Sequence, residues 1–418
     1  MLKKISLILW CFLFCSCSIW QRTPFYRPSY RYLPDQNSME MVETTDYSQV
    51  DLGHEGSFRV AMLLPLSGAD AGMGQSLKNA AMMAIGDINN NNLVVQFYDT
   101  KSTGSGARIA LENALNADSE LILGPLRSDE VAAISSETRA KNVPVISFST
   151  SPSVLQSGVY SIGLMQDNQV DRIVKYATDN GRMRIAAVLP SNQNGANIYH
   201  SLLKAARKNG ANLSKVGFYS PESMDFTGLV TQMKSGGVDF DALLIPETGN
   251  RLKAISSMFS YYDVAAPEVL FMGTSVWDGS SLSKETELYG AAYPVMSLKK
   301  QAKFAQKYND LFGEKPSGLS IFAYDAVALA SVLSRSNGNI YEQIERPEGY
   351  NGMSGSFRVF ANGLNEHGLD VVKVSSGGKY VAEYAPEQFY AYPQAYESAD
   401  ADGYMMTPQI VGNAPAGL

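Results

Sequence analysis

The sequence predicts an α/β protein with two lobes, each a doubly wound parallel sheet, joined by crossover hinges. Three observations predict this class. First, Phe58–Leu64 is an apolar run of strand length that ends at Pro65 and leads through a glycine-bearing loop into a helical pattern. Second, strand and helix patterns then alternate along the chain. Third, the alternation begins again near residue 166, which predicts a second copy of the architecture.

The first lobe is predicted over residues 57–165 because five strand-length patterns fall there. They occur at residues 58–64, 93–98, 120–123, 143–147 and 159–164. Helical patterns fill the first three intervals, and a small polar loop fills the fourth. Because parallel strands need crossover connections, this order predicts a parallel sheet. Two helices within residues 292–335 are predicted to return to this lobe.

The second lobe is predicted over residues 166–291. Its strand patterns occur at residues 184–189, 213–219, 241–245 and 269–273, again with helical patterns between them. A further strand at residues 288–294 is predicted to lead out of the lobe.

The C-terminal segment, residues 336–386, is predicted to hold a β-hairpin. Its strands are residues 353–360 and 368–374, and its turn contains Asn362-Gly363, a dipeptide that favours tight hairpin turns. Residues 387–418 are rich in Tyr, Pro, Ala and Gly without periodicity, so they are predicted to be a disordered tail.

The amino terminus, residues 1–17, has the pattern of an export signal. Lys3 and Lys4 precede an apolar run that is too short to span a bilayer, for which about 20 residues are needed. Phe14-Cys15-Ser16-Cys17 resembles a lipobox, which predicts a membrane anchor through lipidation of Cys17. The alternative is an ordinary signal that is cleaved nearby. Residues 18–56 contain prolines and no sustained apolar period, which predicts a flexible linker.

Composition excludes several classes of function. The formal net charge is −7, whereas a nucleic-acid partner would require a basic surface. All three cysteines lie in the first 17 residues, so the fold has no disulfide, zinc–thiolate cluster or cysteine nucleophile. The histidines, His54, His200 and His367, are too scattered for a metal site and are predicted to lie on the surface.

Catalytic motifs are weak. Ser281–Lys284 and Ser297–Lys300 fit the S-x-x-K pattern of penicillin-interacting enzymes, but no S-D-N follows, and the broken K-T-G at Lys101–Gly104 precedes both. Chance explains these matches better. Gly72-Met-Gly74 lacks the third glycine of a dinucleotide-binding loop. The sequence therefore predicts a protein that is not an enzyme and uses no cofactor or metal.

Five segments resemble the type I periplasmic binding-protein family, of the leucine-binding-like kind. They are LLPLSGADAGMGQSLKNAAMMAI (63–85), ILGPLRSDEVAAIS (122–135), VPVISFSTSP (143–152), FAYDAVALA (322–330) and GMSGSFRVFANG (352–363). The resemblance covers about residues 58–383. The segments LLPLSG and GPLRS are similar to the lipoprotein branch known as penicillin-binding protein activators, although the helical-repeat domain of some members is absent.

The resemblance implies ligand contacts on loops that follow strands of the first lobe. Carried across by position, these contacts are Ser67, Gly68, Arg127, Ser128, Ser149, Thr150 and Ser151. Their hydroxyl and backbone N–H groups would meet a carboxylate or another acceptor through strong charge-assisted bonds. The alternative is helix capping, for which serine and threonine are also well suited.

In the second lobe, the resemblance implies an acid after the strand at 269–273, where amino-acid binders hold the ligand ammonium. This chain has Thr274-Ser275-Val276-Trp277 there. Because a buried ammonium needs a charge partner, the departure disfavours amino acids unless Glu247 or Asp278 substitutes. Ser275 and Trp277 are further candidates, with Trp277 either stacking on a sugar or peptide ring or packing at the hinge.

Two functions follow from the resemblance. The first is a lipid-anchored envelope protein that regulates peptidoglycan synthesis by binding a penicillin-binding protein. Ser18 after the predicted lipidation site implies a periplasmic location on the outer membrane, with the inner membrane as the alternative. The second is the substrate-binding receptor of an ABC transporter for amino acids or other small polar solutes. Its lobes would close about crossovers predicted near residues 165, 274 and 318.

Overall fold

A computed structural model of the chain describes residues 57–279, 281–389 and 407–415. The predicted signal and lipobox (1–17), the linker (18–56) and residues 390–406 and 416–418 of the tail lie outside the described residues. None of the described helices is long and apolar enough to cross a membrane.

The first lobe is a five-stranded parallel sheet with helices on both faces. Its elements are β1 (Phe58–Leu64), α1 (Ala71–Ile88), β2 (Leu93–Asp99), α2 (Gly104–Asn116), β3 (Leu121–Leu123), α3 (Ser128–Ala140), β4 (Val145–Ser147) and β5 (Val159–Ser161). The strand order is β2-β1-β3-β4-β5, with every pair parallel.

The second lobe begins with α4 (Gln166–Asp179), β6 (Arg184–Pro190), α5 (Gln193–Asn209), β7 (Asn212–Tyr219), α6 (Thr227–Lys234), β8 (Ala242–Leu244), α7 (Gly249–Tyr261), β9 (Leu270–Met272) and β10 (Ala292–Val295). The chain continues through α8 (Leu298–Phe312), α9 (Ser320–Leu333), α10 (Ile340–Ile344), β11 (Tyr350–Asn351), β12 (Ser356–Val359), β13 (Asn365–His367), β14 (Asp370–Ser375), β15 (Gly378–Glu383) and β16 (Gln409–Gly412). The eight-stranded sheet of this lobe has the order β15-β14-β10-β9-β8-β6-β7-β16. The predicted two-lobed α/β fold is confirmed.

The core of each lobe lies on both faces of its sheet. On β1, Val60 and Met62 pack on the face covered by α1, α8 and α9, whereas Ala61 and Leu63 pack on the face covered by α2 and α3. In the second lobe, α4 and α5 cover one face, and α6 and α7 cover the other. Burial on both faces explains why the strand sequences are continuous apolar runs.

Two boundaries differ from the sequence prediction. β10 was assigned to the segment that returns to the first lobe, but it pairs in parallel with β9 in the second. The predicted hairpin forms around Asn362-Gly363 from β12 and β13, which are antiparallel. The strand after it, β14, pairs with β10 in the second lobe instead. The apolar pattern shows that these segments are buried strands but not which sheet they join.

Part of the tail predicted as disordered is a strand. β16 pairs in parallel with β7, with Ile410 opposite Val216, and the Ser191 hydroxyl donates to the Asn413 carbonyl. The prediction is therefore wrong for residues 407–415. An uncovered β7 would leave a row of unpaired backbone groups, which β16 satisfies. Four residues are too few for a periodic pattern to reveal such a strand.

Three crossovers connect the lobes, at residues 162–165, 296–297 and 368–369. The predicted crossover near residue 165 is present, but those near 274 and 318 lie within the second and first lobe, respectively, because β10 rejoins the second sheet. The first two crossovers leave from the carboxyl ends of β5 and β10. The carboxyl ends of both sheets therefore lie on the side where the lobes are joined, and the cleft opens there.

His367 is the last residue of β13, directly before the third crossover, and is not on the surface as predicted. It is 4% exposed, its Nε2 is 3.1 Å from the Ile162 carbonyl oxygen, and its ring packs between Phe322 and Phe357. Burial lowers the pKa of His367 to about 4, so the ring is neutral at pH 7. Nothing in the residues around His367 indicates this packing.

Candidate ligand-binding cleft

The loop after β1 is organised by Asp99 at the end of β2. One oxygen of the Asp99 carboxylate accepts hydrogen bonds from the backbone N–H groups of Leu66 (2.9 Å) and Ser67 (3.0 Å), and the other accepts the Ser67 hydroxyl (2.6 Å). Burial alone would raise the pKa of Asp99, but these bonds lower it below its usual value. The Ser67 hydroxyl, predicted to hold a ligand, is therefore committed to Asp99.

Glycines allow this loop and α1 to approach the sheet closely. Gly68 has a φ of +86°, and a Cβ on it would lie 2.6 Å from the Lys101 carbonyl oxygen. A Cβ on Gly74 would lie 2.0 Å from the carbonyl oxygen of Pro65. Both distances are shorter than any normal contact, so the two glycines shape the wall of the cleft.

The loop after β3 is tied to its neighbours by Arg127 and Glu130. The Arg127 guanidinium bonds to Asp129 (3.0 Å) and to Asp70 (3.3 Å) in the loop after β1. Glu130 is fully buried and accepts the Arg127 backbone N–H (3.1 Å) and the Thr100 hydroxyl (2.7 Å). Burial raises the pKa of Glu130. The first lobe therefore presents three connected loops, with Arg127 already paired.

The loop after β4 is held through Ser149. Its backbone N–H donates to the Ser147 hydroxyl oxygen (2.9 Å), and its carbonyl accepts the Ser161 hydroxyl (2.7 Å). Ser149 is only 6% exposed. The hydroxyl of Ser151 is 2.9 Å from that of Ser153. Ser149 and Ser151 therefore bond mainly within the protein, and the Ser151 side chain does not cap the short 3₁₀ helix that begins at Pro152.

Ser128 and Thr150 differ from the other predicted contacts. Within the described residues, the hydroxyl of neither forms a hydrogen bond. Ser128 is the first residue of α3, where backbone N–H groups lack partners within the helix. Thr150 is exposed, and a Cβ on Gly163 would lie 2.7 Å from the Thr150 methyl carbon. Because Gly163 belongs to the first crossover, Thr150 lies beside the hinge.

The acids of the second lobe are already paired. The Tyr219 hydroxyl donates to Glu247, and Arg251 Nη1 lies 3.8 Å from the other carboxylate oxygen. Burial and then the Glu247 carboxylate raise the pKa of Tyr219 well above its usual value. Asp278 forms an ion pair with Lys379. Neither acid is left as an uncompensated partner for a ligand ammonium.

The loop after β9 is also committed to internal contacts. The backbone N–H and the hydroxyl of Ser275 both donate to the side-chain oxygen of Gln169, at 2.9 and 2.7 Å. Trp277 is fully buried, and its Nε1–H donates to the Ile245 carbonyl at 3.0 Å. This burial matches the alternative that Trp277 serves in packing. The indole packs against Gly273, where any Cβ would lie 2.2 Å from the ring.

Sequence reasoning missed the residues that position the cleft walls. They are Asp99, Glu130, Tyr219 and Arg251. Asp99 ends the strand next to β1, so its closeness to the first loop followed from the sheet order. Arg251 is four residues after Glu247, a spacing that favours an ion pair on a helix. No local pattern marked Tyr219 or Glu130.

The family follows from comparison with known proteins. A family model described as periplasmic binding protein matches residues 57–379. The chain belongs to this family. A curated protein of Rickettsia prowazekii, uncharacterized protein RP748, is 25% identical over 168 residues, a match of 40% of this chain and 45% of that protein. The chain thus matches about half of that relative's length.

Solved structures share the fold at low identity. A putative branched-chain amino acid ABC transporter protein of Rhodospirillum rubrum has a TM-score of 0.68 and 15% identity, covering 78% of this chain and 99% of that one. LivJ of Streptococcus pneumoniae, solved with isoleucine, has a TM-score of 0.53 and 18% identity (79% and 100% covered). A solute-binding protein of Rhodopseudomonas palustris, solved with 3,4-dihydroxybenzoic acid, has a TM-score of 0.54 and 15% identity (82% and 100% covered).

Proposed function

We propose that this protein is the solute-binding receptor of a transport system and that its solute is a small organic acid without an ammonium group. The supporting observation is the pair of unpartnered hydroxyls, Ser128 and Thr150, among the described residues. Ser128 begins α3, directly after the loop that follows β3, and Thr150 lies on the loop after β4; β3 and β4 are neighbours in the sheet. Ligands of open parallel sheets bind beyond the carboxyl ends of the strands, where both residues lie.

A carboxylate matches these two donors. Hydrogen bonds from hydroxyls to an ionised group contribute about 1.5–3 kcal/mol each. The N-terminus of α3, which begins at Ser128, adds backbone N–H groups for a carboxylate, although its first turn also carries the acids Asp129 and Glu130. The Arg127 guanidinium is engaged by Asp70 and Asp129, so it supports the loop and does not neutralise the ligand directly.

The paired acids of the second lobe argue against an α-amino acid. An ammonium transferred from water into the cleft needs an uncompensated carboxylate, and Glu247 and Asp278 each already have a cation. Among the similar structures, one holds isoleucine and another holds 3,4-dihydroxybenzoic acid, so the fold accommodates both classes. The charge pairing in this chain favours the second class.

Capture by such a receptor proceeds by closure of the lobes about the three crossovers. Family membership supports a periplasmic location. Attachment through Cys17 stays a prediction, because the residue lies outside the described part of the chain. Fractionation of a Cys17→Ala form tests it: release from the membranes is expected, and retention there would refute the anchor.

Isothermal titration calorimetry tests the proposal with benzoate, 3,4-dihydroxybenzoate and succinate against L-leucine and L-isoleucine. We expect saturable binding of a carboxylate that lacks an amino group. Thr150→Val removes one charge-assisted bond without changing shape, so affinity should fall by about 10- to 100-fold. Thr231→Val, at an exposed site on α6, is the matched control and should bind as the wild type does. Saturable binding of the amino acids alone, or an unaffected Thr150→Val, would overturn the proposal.

A second candidate function is regulation of peptidoglycan synthesis through a penicillin-binding protein. The observation that favours it is the internal pairing of Ser67, Ser275 and Glu247, which leaves few groups for a ligand. A pull-down from detergent-solubilised envelope discriminates between the two functions. Recovery of a cell-wall synthase without transporter subunits would support this candidate, and the reverse would support the receptor.

A further inference from the structure

The second lobe has a cavity at the edge of its sheet opposite the cleft. Its volume is about 230 Å³, and its lining includes Tyr176, Arg182, Pro267, Leu270 and Lys373. Leu270 is the first residue of β9, and Arg182 precedes β6, so the cavity lies at the amino ends of the parallel strands. It is therefore separate from the cleft, which lies at their carboxyl ends.

One wall of the cavity is fixed by Arg182. Its two terminal nitrogens donate to the carbonyl oxygens of Glu268 and Pro267, each at 2.6 Å. The guanidinium thus holds the segment before β9 against the end of α4 while keeping its positive charge. This wall of the cavity is therefore held in place by hydrogen bonds between the segment before β9 and Arg182, which follows α4.

Two polar groups at the cavity lack partners. Tyr176 is 4% exposed, and within the described residues its hydroxyl makes no hydrogen bond. In the same part of the chain, the Lys373 ammonium makes no hydrogen bond or ion pair. The nearby acid Glu383 does not serve either group, because it pairs with Arg172 at 2.9 Å. The hydroxyl oxygen of Tyr176 is not among the fully buried polar atoms, so it is open to the cavity, and both groups can bind an acceptor that enters there.

The remaining lining sets the chemistry of the occupant. It contains two cations, Arg182 and Lys373, and no acidic side chain. Its apolar part is formed by Ala266, Pro267, Val269 and Leu270. Sites for drug-sized ligands occupy about 300–1,000 Å³, so this smaller cavity suits a smaller molecule.

We propose that this cavity is a second ligand site for a small organic anion with an apolar body, whose carboxylate binds the Lys373 ammonium and the Tyr176 hydroxyl. The apolar body rests on the segment from Ala266 to Leu270. The site is independent of the cleft, since it uses none of the groups that hold the cleft ligand.

Calorimetry of the full chain with hexanoate tests the second site. We expect saturable binding that is weakened at least about tenfold in Lys373→Gln and several-fold in Tyr176→Phe, which deletes only the hydroxyl. Hexan-1-ol, which lacks the charge, should bind at least about tenfold more weakly than hexanoate. Lys284→Gln, an equal change of charge at an exposed site, should leave hexanoate binding unchanged.

The cleft variant Thr150→Val separates this site from the proposed function. It should retain the hexanoate binding that Lys373→Gln weakens, whereas Lys373→Gln should retain the affinity of the cleft for its own carboxylate. Absence of hexanoate binding, unchanged affinity in Lys373→Gln or Tyr176→Phe, or loss of hexanoate binding in Thr150→Val would each overturn the second site without touching the first.

Discussion

Asp99→Asn is expected to loosen the loop after β1 and to destabilise the first lobe. One Asp99 oxygen accepts three backbone N–H groups, from Leu66, Ser67 and Lys101 at 2.8–3.0 Å, and the other accepts the Ser67 hydroxyl at 2.6 Å. Asparagine keeps one acceptor oxygen but loses the charge, and its amide group would replace the oxygen that now accepts the hydroxyl. The substitution therefore weakens all four bonds without leaving a cavity.

The magnitude follows from the difference between charged and neutral hydrogen bonds. That difference is about 1 kcal/mol per bond, and the partial exposure of Asp99 reduces the sum, so we expect a loss of about 2 kcal/mol in the free energy of unfolding at pH 7. The native pKa of Asp99 is lowered, so its contribution is fully present above the unfolded pKa of about 3.9. The contribution is lost as pH falls through the lower native pKa.

Urea denaturation of both proteins from pH 7 to pH 3 measures this. The gap in unfolding free energy should be full at pH 7 and should narrow in acid. Asp118→Asn is the matched control, because the Asp118 side chain is 89% exposed and 4.0 Å from Arg59. It should change stability by less than about 0.5 kcal/mol. A gap for Asp99→Asn no larger than that of the control, or one that stays constant with pH, would refute the reasoning.

Three further predictions concern the fold. Gly74→Ala should lower the free energy of unfolding in chemical denaturation by about 3 kcal/mol, because its Cβ would lie 2.0 Å from a carbonyl oxygen. Gly72→Ala, whose Cβ would have no atom within 4 Å, should be neutral or stabilising. Equal effects of the two substitutions would contradict this prediction. Burial raises the pKa of Asp325 to about 6. The contribution of the protonated carboxyl to the free energy of unfolding is therefore fully present below pH 4 and is lost as the pH rises through 6. The loss of unfolding free energy caused by Asp325→Asn, measured by urea denaturation, should therefore be smaller at pH 7 than at pH 4.5. A loss that does not change with pH would contradict the raised pKa of Asp325. Deleting residues 407–418 should speed amide hydrogen exchange in β7, and unchanged exchange would exclude pairing with β16.

The fold was largely predictable because each buried strand is followed by a recognisable turn and helix. The strand from Phe58 to Leu64, stopped by Pro65, carries this signal clearly. Sheet membership was less predictable, since β10 and β14 are short apolar segments that fit either lobe. β16 was missed because four residues at a sheet edge have no period of their own.

The candidate site was predictable only as a set of loops. The positions of Ser128 and Thr150 followed from the strands that end before them. That their hydroxyls form no hydrogen bond within the described residues did not follow from the sequence. Which serines keep an unbonded hydroxyl depends on long-range contacts. Those that engage Ser67, Ser149 and Ser275 join residues distant in sequence. Trp277 is a second example of a contact that the sequence does not reveal. Its indole ring is suited to stacking on a ligand, yet in the structure it is buried against Gly273.

Distance measurement between the lobes tests the receptor function most directly. The chain has no cysteine after Cys17, so with Cys11, Cys15 and Cys17 replaced by serine, spin labels at Ser105→Cys and Asn194→Cys report one position on each lobe. Both residues are exposed and lie in the first turn of helices, α2 and α5, at the cleft-facing edges. The carboxylate that binds in calorimetry should shorten the distance between the labels. The Thr150→Val variant should require a higher carboxylate concentration for the same shortening. An unchanged distance at saturating carboxylate would contradict a receptor that closes on its solute.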